Sequence, residues 1–378
     1  MKSFAFNFAM LLILLCFGFT LTGLSQTKKE ATFTVVSGDL LNVSLKQGDI
    51  NIVTGSGKEV KVVAKNIEED ELSLLTMEQK AGKLEIKFKG EDSNNFELEL
   101  TIPSEMNLDL STGGGNVSIK GDLKGTADLR TGGGNISVEN INGKTDFSTA
   151  GGNVSVGDIN GDADLSSAGG EMKAGLITGK TKISTAGGSI TVVSVSSSAE
   201  ISTAGGNIQI GDIGGKVEAS TAGGNIKVGN VTGSAEISTA GGNIELEGAN
   251  GEVEASTAAG NVNLKNIKGS VEANTAAGNI YAELSPEGNV KSELNTAVGN
   301  INLKVPENAK ATITANVSVL VWSGDDSDLD NIKSDFTPSD VKRNKEKKQI
   351  EVTYNLNGGG PTIELNVAMG QIEIRKLK

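Results

Sequence analysis

One motif, Ser-Thr-Ala-Gly-Gly-Asn followed by an alternating apolar run, returns through the middle of the chain at an interval that does not change. Its Asn stands at 207, 225, 243, 261 and 279, a period of 18 residues, and the same slot holds Asn153, Glu171 and Ser189 in the copies before them. A fixed period over eight copies means one structural unit repeated in space, each copy contacting only its neighbours. The residues must therefore be read as columns.

Within the unit at 217–234, Val217, Ala219 and Thr221 alternate with Glu218 and Ser220, the period of a strand with one face buried. After the Ala222-Gly223-Gly224-Asn225 corner, Ile226 and Val228 fall on the inner side, Lys227 on the outer, and Val231 is a third inward position. Three short apolar runs separated by corners describe a coil with three faces. Gly and Asn are expected at the corners because they tolerate positive φ. Stacking pairs each strand in parallel with its equivalent one copy away, about 4.8 Å along the axis. The column Val154, Met172, Ile190, Ile208, Ile226, Ile244, Val262, Ile280 then becomes a continuous core ladder. The expected fold is all-β, a single-stranded parallel β-solenoid (β-helix) of 18-residue coils with irregular capping regions at both ends.

The composition fits a core of small β-branched residues: 50 of 378 residues are Gly, aromatics make up 3%, and there is no His. Residues 1–25 are expected to be a cleaved signal peptide, with Lys2, an apolar run at 8–19 that is short for a membrane span, and the exit Gly23-Leu24-Ser25. The single Cys, Cys16, lies inside it, so the mature chain is expected to have no disulfide, thiol chemistry or Cys metal site. Residues 26–110 read as an irregular N-terminal β region that starts or caps the stack, 111–305 as the regular solenoid, and 306–378 as closing strands with a solvated charged loop at 323–348. The last strands, 349–376, are expected to close the array, with Trp322 and Phe336 as plugs. A net charge of −13 argues against nucleic-acid binding. The mature chain is expected to be a monomer with no transmembrane segment.

Five candidate sites emerge. An acidic ladder, Glu200, Glu218, Glu236, Glu254 and Glu272, occupies one outward column, preceded by Asp146 and Asp164 and broken at Lys182. Neighbouring carboxylates at that spacing repel by roughly 1 kcal/mol in water, which cations or a cationic partner would relieve; solubility and protection from lateral association explain the column without a ligand. The 18-residue period is also that of two calcium-binding nonapeptides, but here the Asp is displaced and appears only as Asp158 and Asp212. Asp326, Asp328, Asp330 and Asn331 imitate the start of an EF-hand loop whose last ligand would be Thr337 instead of Glu. The Thr column, Thr185, Thr203, Thr221, Thr239, Thr257 and Thr275, has the form of the flat Thr arrays that order water on ice-binding solenoids, but it alternates with an outward Ser column and is expected to point inward or into the corner, bonding along the ladder. A carboxylate pair acting as a glycosidase is the enzymatic reading, and tight corners supply no walls for it. No catalytic residue, metal or cofactor is assigned.

The units of the form STAGGN-I-x-V-G-x-I-x-G and the closing GGGPTIELNVAMGQIEI resemble the bacterial DUF4097 family, labelled as candidate adhesins, over roughly 32–376. The resemblance implies an exported or envelope-associated β-solenoid located in the periplasm, at the cell surface or outside the cell, and it carries over no catalytic residues. The function expected is that of a non-enzymatic adhesin or cell-envelope scaffold presenting repetitive faces to a surface glycan or envelope protein. Two alternatives stand beside it: a structural or envelope-stress accessory that binds a protein through 323–348, and a polysaccharide-acting β-helix enzyme.

Overall fold

The computed structural model describes residues 27–90, 95–285, 290–318 and 326–377. The segment 1–25 and Trp322 lie outside these residues. Each coil contributes one strand to each of two long sheets. The threonine sheet takes strands such as Ala199–Thr203, Val217–Thr221 and Ala235–Thr239, and the isoleucine sheet takes strands such as Ile208–Ile210, Ile226–Val231 and Ile244–Ala249. Equivalent strands pair in parallel, Val217 facing Ala235 and Ile226 facing Ile244, with one irregularity between Leu264 and Ile267. The third face is narrow, held by single bridges such as Ile159 to Ile177 and Ile213 to Val231.

The inward and outward sorting follows strand alternation. Val217, Ala219 and Thr221 are buried between exposed Glu218 and Ser220, while Ile226, Val228 and Val231 are buried and Lys227 is exposed. The core is the sum of these columns, a strip of Val, Ile, Leu and Ala along the interior. Both sheets are open. Pairings in the threonine sheet run in one line from the strand Leu75–Lys80 to the strand Asp340–Asn344 and never return on themselves.

The corners differ from expectation in their cause. Positive φ is found at Gly121 and at Asn266, but not at Gly223, Gly224 or Asn225. What requires glycine is the approach of one backbone to the next. A Cβ placed on Gly224 would overlap the carbonyl of Gly206 one coil back, and the same slot meets the same obstacle at Gly206, Gly242, Gly260 and Gly278. The preceding position is free of it, since a Cβ on Gly223 would sit 3.5 Å from the Gly205 carbonyl, an ordinary contact. Accordingly that position holds Ala259 and Ala277 in later copies.

Thr and Asn close the same corner. The buried Thr221 hydroxyl donates to the Gly206 carbonyl at 3.0 Å and accepts from the Gly224 N–H at 3.3 Å, which confirms the inward Thr column. Asn207 Oδ1 accepts the backbone N–H of Asn225 at 2.8 Å, and Asn225 Oδ1 in turn accepts that of Asn243 at 2.8 Å. Such bonds start at Asp49, whose carboxylate takes the Asn116 N–H at 2.7 Å, and recur as far as Gln371, whose N–H bonds Asn300 Oδ1 at 2.9 Å, with a break between Glu171 and Ser189. An exposed corner N–H would otherwise be left to water.

At the ends the chain inserts into its own stack. The first coil, Leu40–Leu45, lies between Lys83–Phe88 and Asn107–Thr112, because the hairpin strands that follow it fold back outside. The last long strands, Thr362–Met369 and Ile372–Leu377, are likewise not terminal: Thr362–Met369 runs between Ser292–Val298 and Ala311–Ser318. The described part of 323–348 corrects the expectation of a loop. Asp326–Asn331 is a 3₁₀ turn, Ile332–Ser334 extends the isoleucine sheet, and Asp340–Asn344 is the antiparallel edge of the threonine sheet. Its charge reflects edge position: Lys and Asp on an outermost strand deter further pairing. Phe336 packs half-buried against the core, with the Lys376 ammonium 5.7 Å from its ring centre.

The corner geometry separates two adjacent glycines. Gly224→Ala is expected to lower the unfolding free energy by roughly 2–3 kcal/mol, and Gly223→Ala to change it by less than about 0.5 kcal/mol. Urea or thermal unfolding of the two variants measures this, and equal effects would contradict the corner packing.

Candidate functional site

Strand alternation places the ladder carboxylates on the outside of the threonine sheet. Glu200, Glu218, Glu236, Glu254 and Glu272 stand in unbroken register and are all exposed. The column extends further than the repeat suggests. Asp109, Asp128, Asp146 and Asp164 precede the Lys182 break, and Glu293 and Glu364 follow Glu272. Asp109, Asp128 and Glu293 lie where the period departs from 18, and Glu364 reaches its place only by chain insertion. Nothing local in the sequence marks that neighbourhood.

Lysines from the adjoining corner, and Lys182 within the column, relieve the repulsion at intervals. Lys216 lies 2.6 Å from Glu218 and 3.6 Å from Glu236, Lys182 lies 3.0 Å from Glu200, and Lys291 lies 2.9 Å from Glu364. The bond to Glu218 raises the Lys216 ammonium above its ordinary pKa. Glu254 has no ion pair among the described residues. Its strand neighbours are Glu236 and Glu272, so the Glu254 carboxylate stands between two others.

The outer isoleucine sheet is built on the opposite plan. Lys227 pairs with Glu245 at 3.1 Å, Lys265 with Glu247 at 3.1 Å and Lys304 with Glu283 at 3.5 Å, each across one coil step. Lys227 holds the Glu245 carboxyl below the usual carboxylate range. Tyr281 donates to Glu283 and carries the Lys304 ammonium 4.9 Å from its ring centre. Alternating signs neutralise this face in the coils from Lys227 to Lys304, whereas the middle of the threonine face keeps one sign.

The remaining sequence candidates find structural places. Asp158 Oδ1 accepts the Leu176 N–H at 2.8 Å, and Asp212 Oδ1 accepts the Asn230 N–H at 2.8 Å, so both carboxylates cap the next coil. That bond holds the Asp212 carboxyl below its usual range. Among the described residues no three acidic side chains converge as a metal-holding group. Nor is any described helix long and apolar enough to cross a membrane. Two shallow clefts open on the threonine face. One, of about 500 Å³, is floored by the amide row Asn274, Asn295, Asn366 and Asn316, bonded in sequence at 2.8, 2.7 and 2.9 Å. The other, of about 480 Å³, surrounds Lys182.

The Toastrack DUF4097 family matches residues 39–248 and 212–355. Among solved structures, a candidate adhesin from Parabacteroides distasonis is 14% identical, covering 74% of this chain and 97% of its own, with a TM-score of 0.31. A candidate adhesin from Bacteroides fragilis is 14% identical over 93% of this chain and 98% of its own, TM-score 0.29. A candidate lipid binding protein from Parabacteroides distasonis is 17% identical over 73% and 96%, TM-score 0.31. Likeness at this level adds nothing to the assignment, which rests on the family match. No curated protein matches the chain.

The unpaired centre of the column makes a prediction. Glu254→Gln removes two like-charge contacts and is expected to raise stability by up to about 1 kcal/mol at low salt. The gain shrinks toward zero at 0.15 M and above, where the screening length falls to about 8 Å. Urea unfolding at two ionic strengths tests it, and a destabilised variant at low salt would show that Glu254 is held by something other than its neighbours.

Proposed function

The chain belongs to the Toastrack DUF4097 family, and on that premise we propose that it is an exported, non-enzymatic β-solenoid that works by binding. In this reading it is an adhesin or cell-envelope scaffold whose threonine face meets a surface glycan or an envelope protein. One observation carries the proposal: five consecutive coils, 200–272, present the same exposed carboxylate in unbroken register, while the opposite sheet pairs its charges internally. A flat repetitive face suits a partner that is itself extended. Multiple weak contacts at a fixed spacing then add through avidity. Export to the periplasm, cell surface or medium belongs to the same proposal and is supported by the leader-like segment 1–25.

The test is binding of the purified protein to immobilised glycans and to envelope extracts at low and high salt. Retention is expected to fall with salt and to fall further in the triple variant Glu218→Gln, Glu236→Gln, Glu254→Gln. Absence of any retained partner under all conditions, or retention untouched by the triple substitution, would count against the acidic face.

A second reading is favoured by the edge strand Asp340–Asn344, whose outer side has no partner strand among the described residues and whose charges bar a second copy of this sheet but not a partner of complementary charge. In that reading the protein is an envelope accessory that docks a protein partner at this edge. Reversing Lys345, Lys347 and Lys348 to Glu and repeating the co-purification separates the two, because face-mediated binding should survive.

A further inference from the structure

The acidic column keeps its sign from Asp109 to Glu364 except at one rung, Lys182, and that rung sits in the middle of a cleft of about 480 Å³. We propose that this cleft is a saccharide-binding site for a hydroxyl-rich, uncharged sugar segment, a proposal that rests on the glycan arm of the function given above. In a strict repeat, the place where the rule is broken is where a purpose other than folding is most legible.

Two columns meet at the cleft. The corner column reads Lys144, Asp162, Lys180, Ser198, Lys216, and the ladder column beside it reads Asp164, Lys182, Glu200, Glu218. The floor between successive coils is the backbone at Ala163, Thr181 and Ala199, whose side chains are turned into the core. The recess is shallow and open to solvent, so it suits a chain lying along the surface rather than an enclosed small molecule.

The electrostatics select the ligand. Four ammonium groups and four carboxylates line the recess, so it carries no net charge in a protein of net charge −13. Lys182 is pinned to Glu200 at 3.0 Å and Lys216 to Glu218 at 2.6 Å. Lys144 and Lys180 have no ion pair among the described residues. Asp162 uses Oδ1 to accept the Lys180 backbone N–H at 2.8 Å, which fixes its carboxylate at the rim. An anionic ligand would meet Asp162 and Asp164, and a cationic one would meet Lys144, Lys180 and Lys182. A chain of hydroxyls suits both, each donating to a carboxylate and accepting from an ammonium in charge-assisted bonds. The coil spacing of about 4.8 Å repeats these donors and acceptors along one line, which fits successive residues of a linear sugar.

The experiment uses the purified protein and a panel of immobilised neutral, amino-sugar and uronate oligosaccharides. Lys180→Met and Asp164→Asn, both at exposed positions, are compared with Lys227→Met on the isoleucine sheet, and thermal unfolding checks that all three are folded. Binding of a neutral oligosaccharide by the unaltered protein, weakened about tenfold or more by Lys180→Met and by Asp164→Asn but not by Lys227→Met, is the expected result. A neutral oligosaccharide bound equally by all four proteins overturns this site while leaving a glycan-binding rod in place. Preference for uronates or for amino sugars overturns the ligand assignment. If the unaltered protein binds no saccharide, this site is overturned, and the broader reading then stands or falls on protein partners in the envelope extract.

Discussion

The stack depends on how closely one backbone can lie on the next at the Ala-Gly-Gly-Asn corner. A coil must turn there without lifting away from the coil below, and the second glycine makes this possible by presenting no Cβ to the carbonyl beneath it. Once the backbones touch, the Thr hydroxyl and the Asn amide reach polar groups of the preceding coil and satisfy them. Register follows from these contacts. A slip of one residue would bring a Cβ under the glycine slot and would turn every buried column outward. The apolar ladders supply the bulk of the burial, but they are tolerant of which small residue fills each place, as Ala219, Ile237 and Ala255 in one column illustrate. The corner is not tolerant in that way.

Because the corner fixes the register, the outer surface is written in columns, and the two sheets use theirs differently. The later coils of the isoleucine face alternate in sign and pair with one another, as at Lys227 and Glu245, while Thr191 and Gln209 hold the same column uncharged before them. The threonine face repeats one sign, relieved only where a corner lysine reaches across. A like-charged ladder in water costs about 1 kcal/mol per unscreened step, small beside the core and small enough to be kept for solubility or for a partner. Charge of one sign also protects a long flat sheet from lying against a second copy. Lys182 and its neighbours are the local exception, where the stripe gives way to a balanced field of donors and acceptors.

Much of this was legible in the sequence, and what was not has identifiable causes. The period of 18 and the alternation inside each unit revealed the solenoid, the parallel pairing, the buried Thr column and the five-Glu ladder, because these depend on residues close in sequence. Glycine at the corner was expected for the wrong reason. Positive φ is a property of one residue, whereas the actual constraint is a contact between residues 18 apart, visible only once the coils are stacked. The Asn ladder was hidden likewise, since an Asn that caps the next coil looks the same in sequence as one that merely turns the chain. Chain insertion at both ends was out of reach, because Glu293 and Glu364 become neighbours across an excursion that carries no periodic signal. For the same reason 323–348 looked like a loop: its short edge strands are fixed by pairing with 349–356 and 372–377, not by their own alternation.

The claim at the centre of this account is that the corners, and not only the apolar ladders, lock coil to coil. Hydrogen–deuterium exchange at the backbone amides of Asn225, Asn243, Asn261 and Asn279 tests it most directly. These residues are exposed, yet each N–H is bonded to the side-chain oxygen of the Asn one coil below at 2.8 Å. The account predicts that they exchange as slowly as the strand amides on either side of them, opening only when the stack opens. Exchange at the rate of an unstructured loop, with the neighbouring strands still protected, would contradict it.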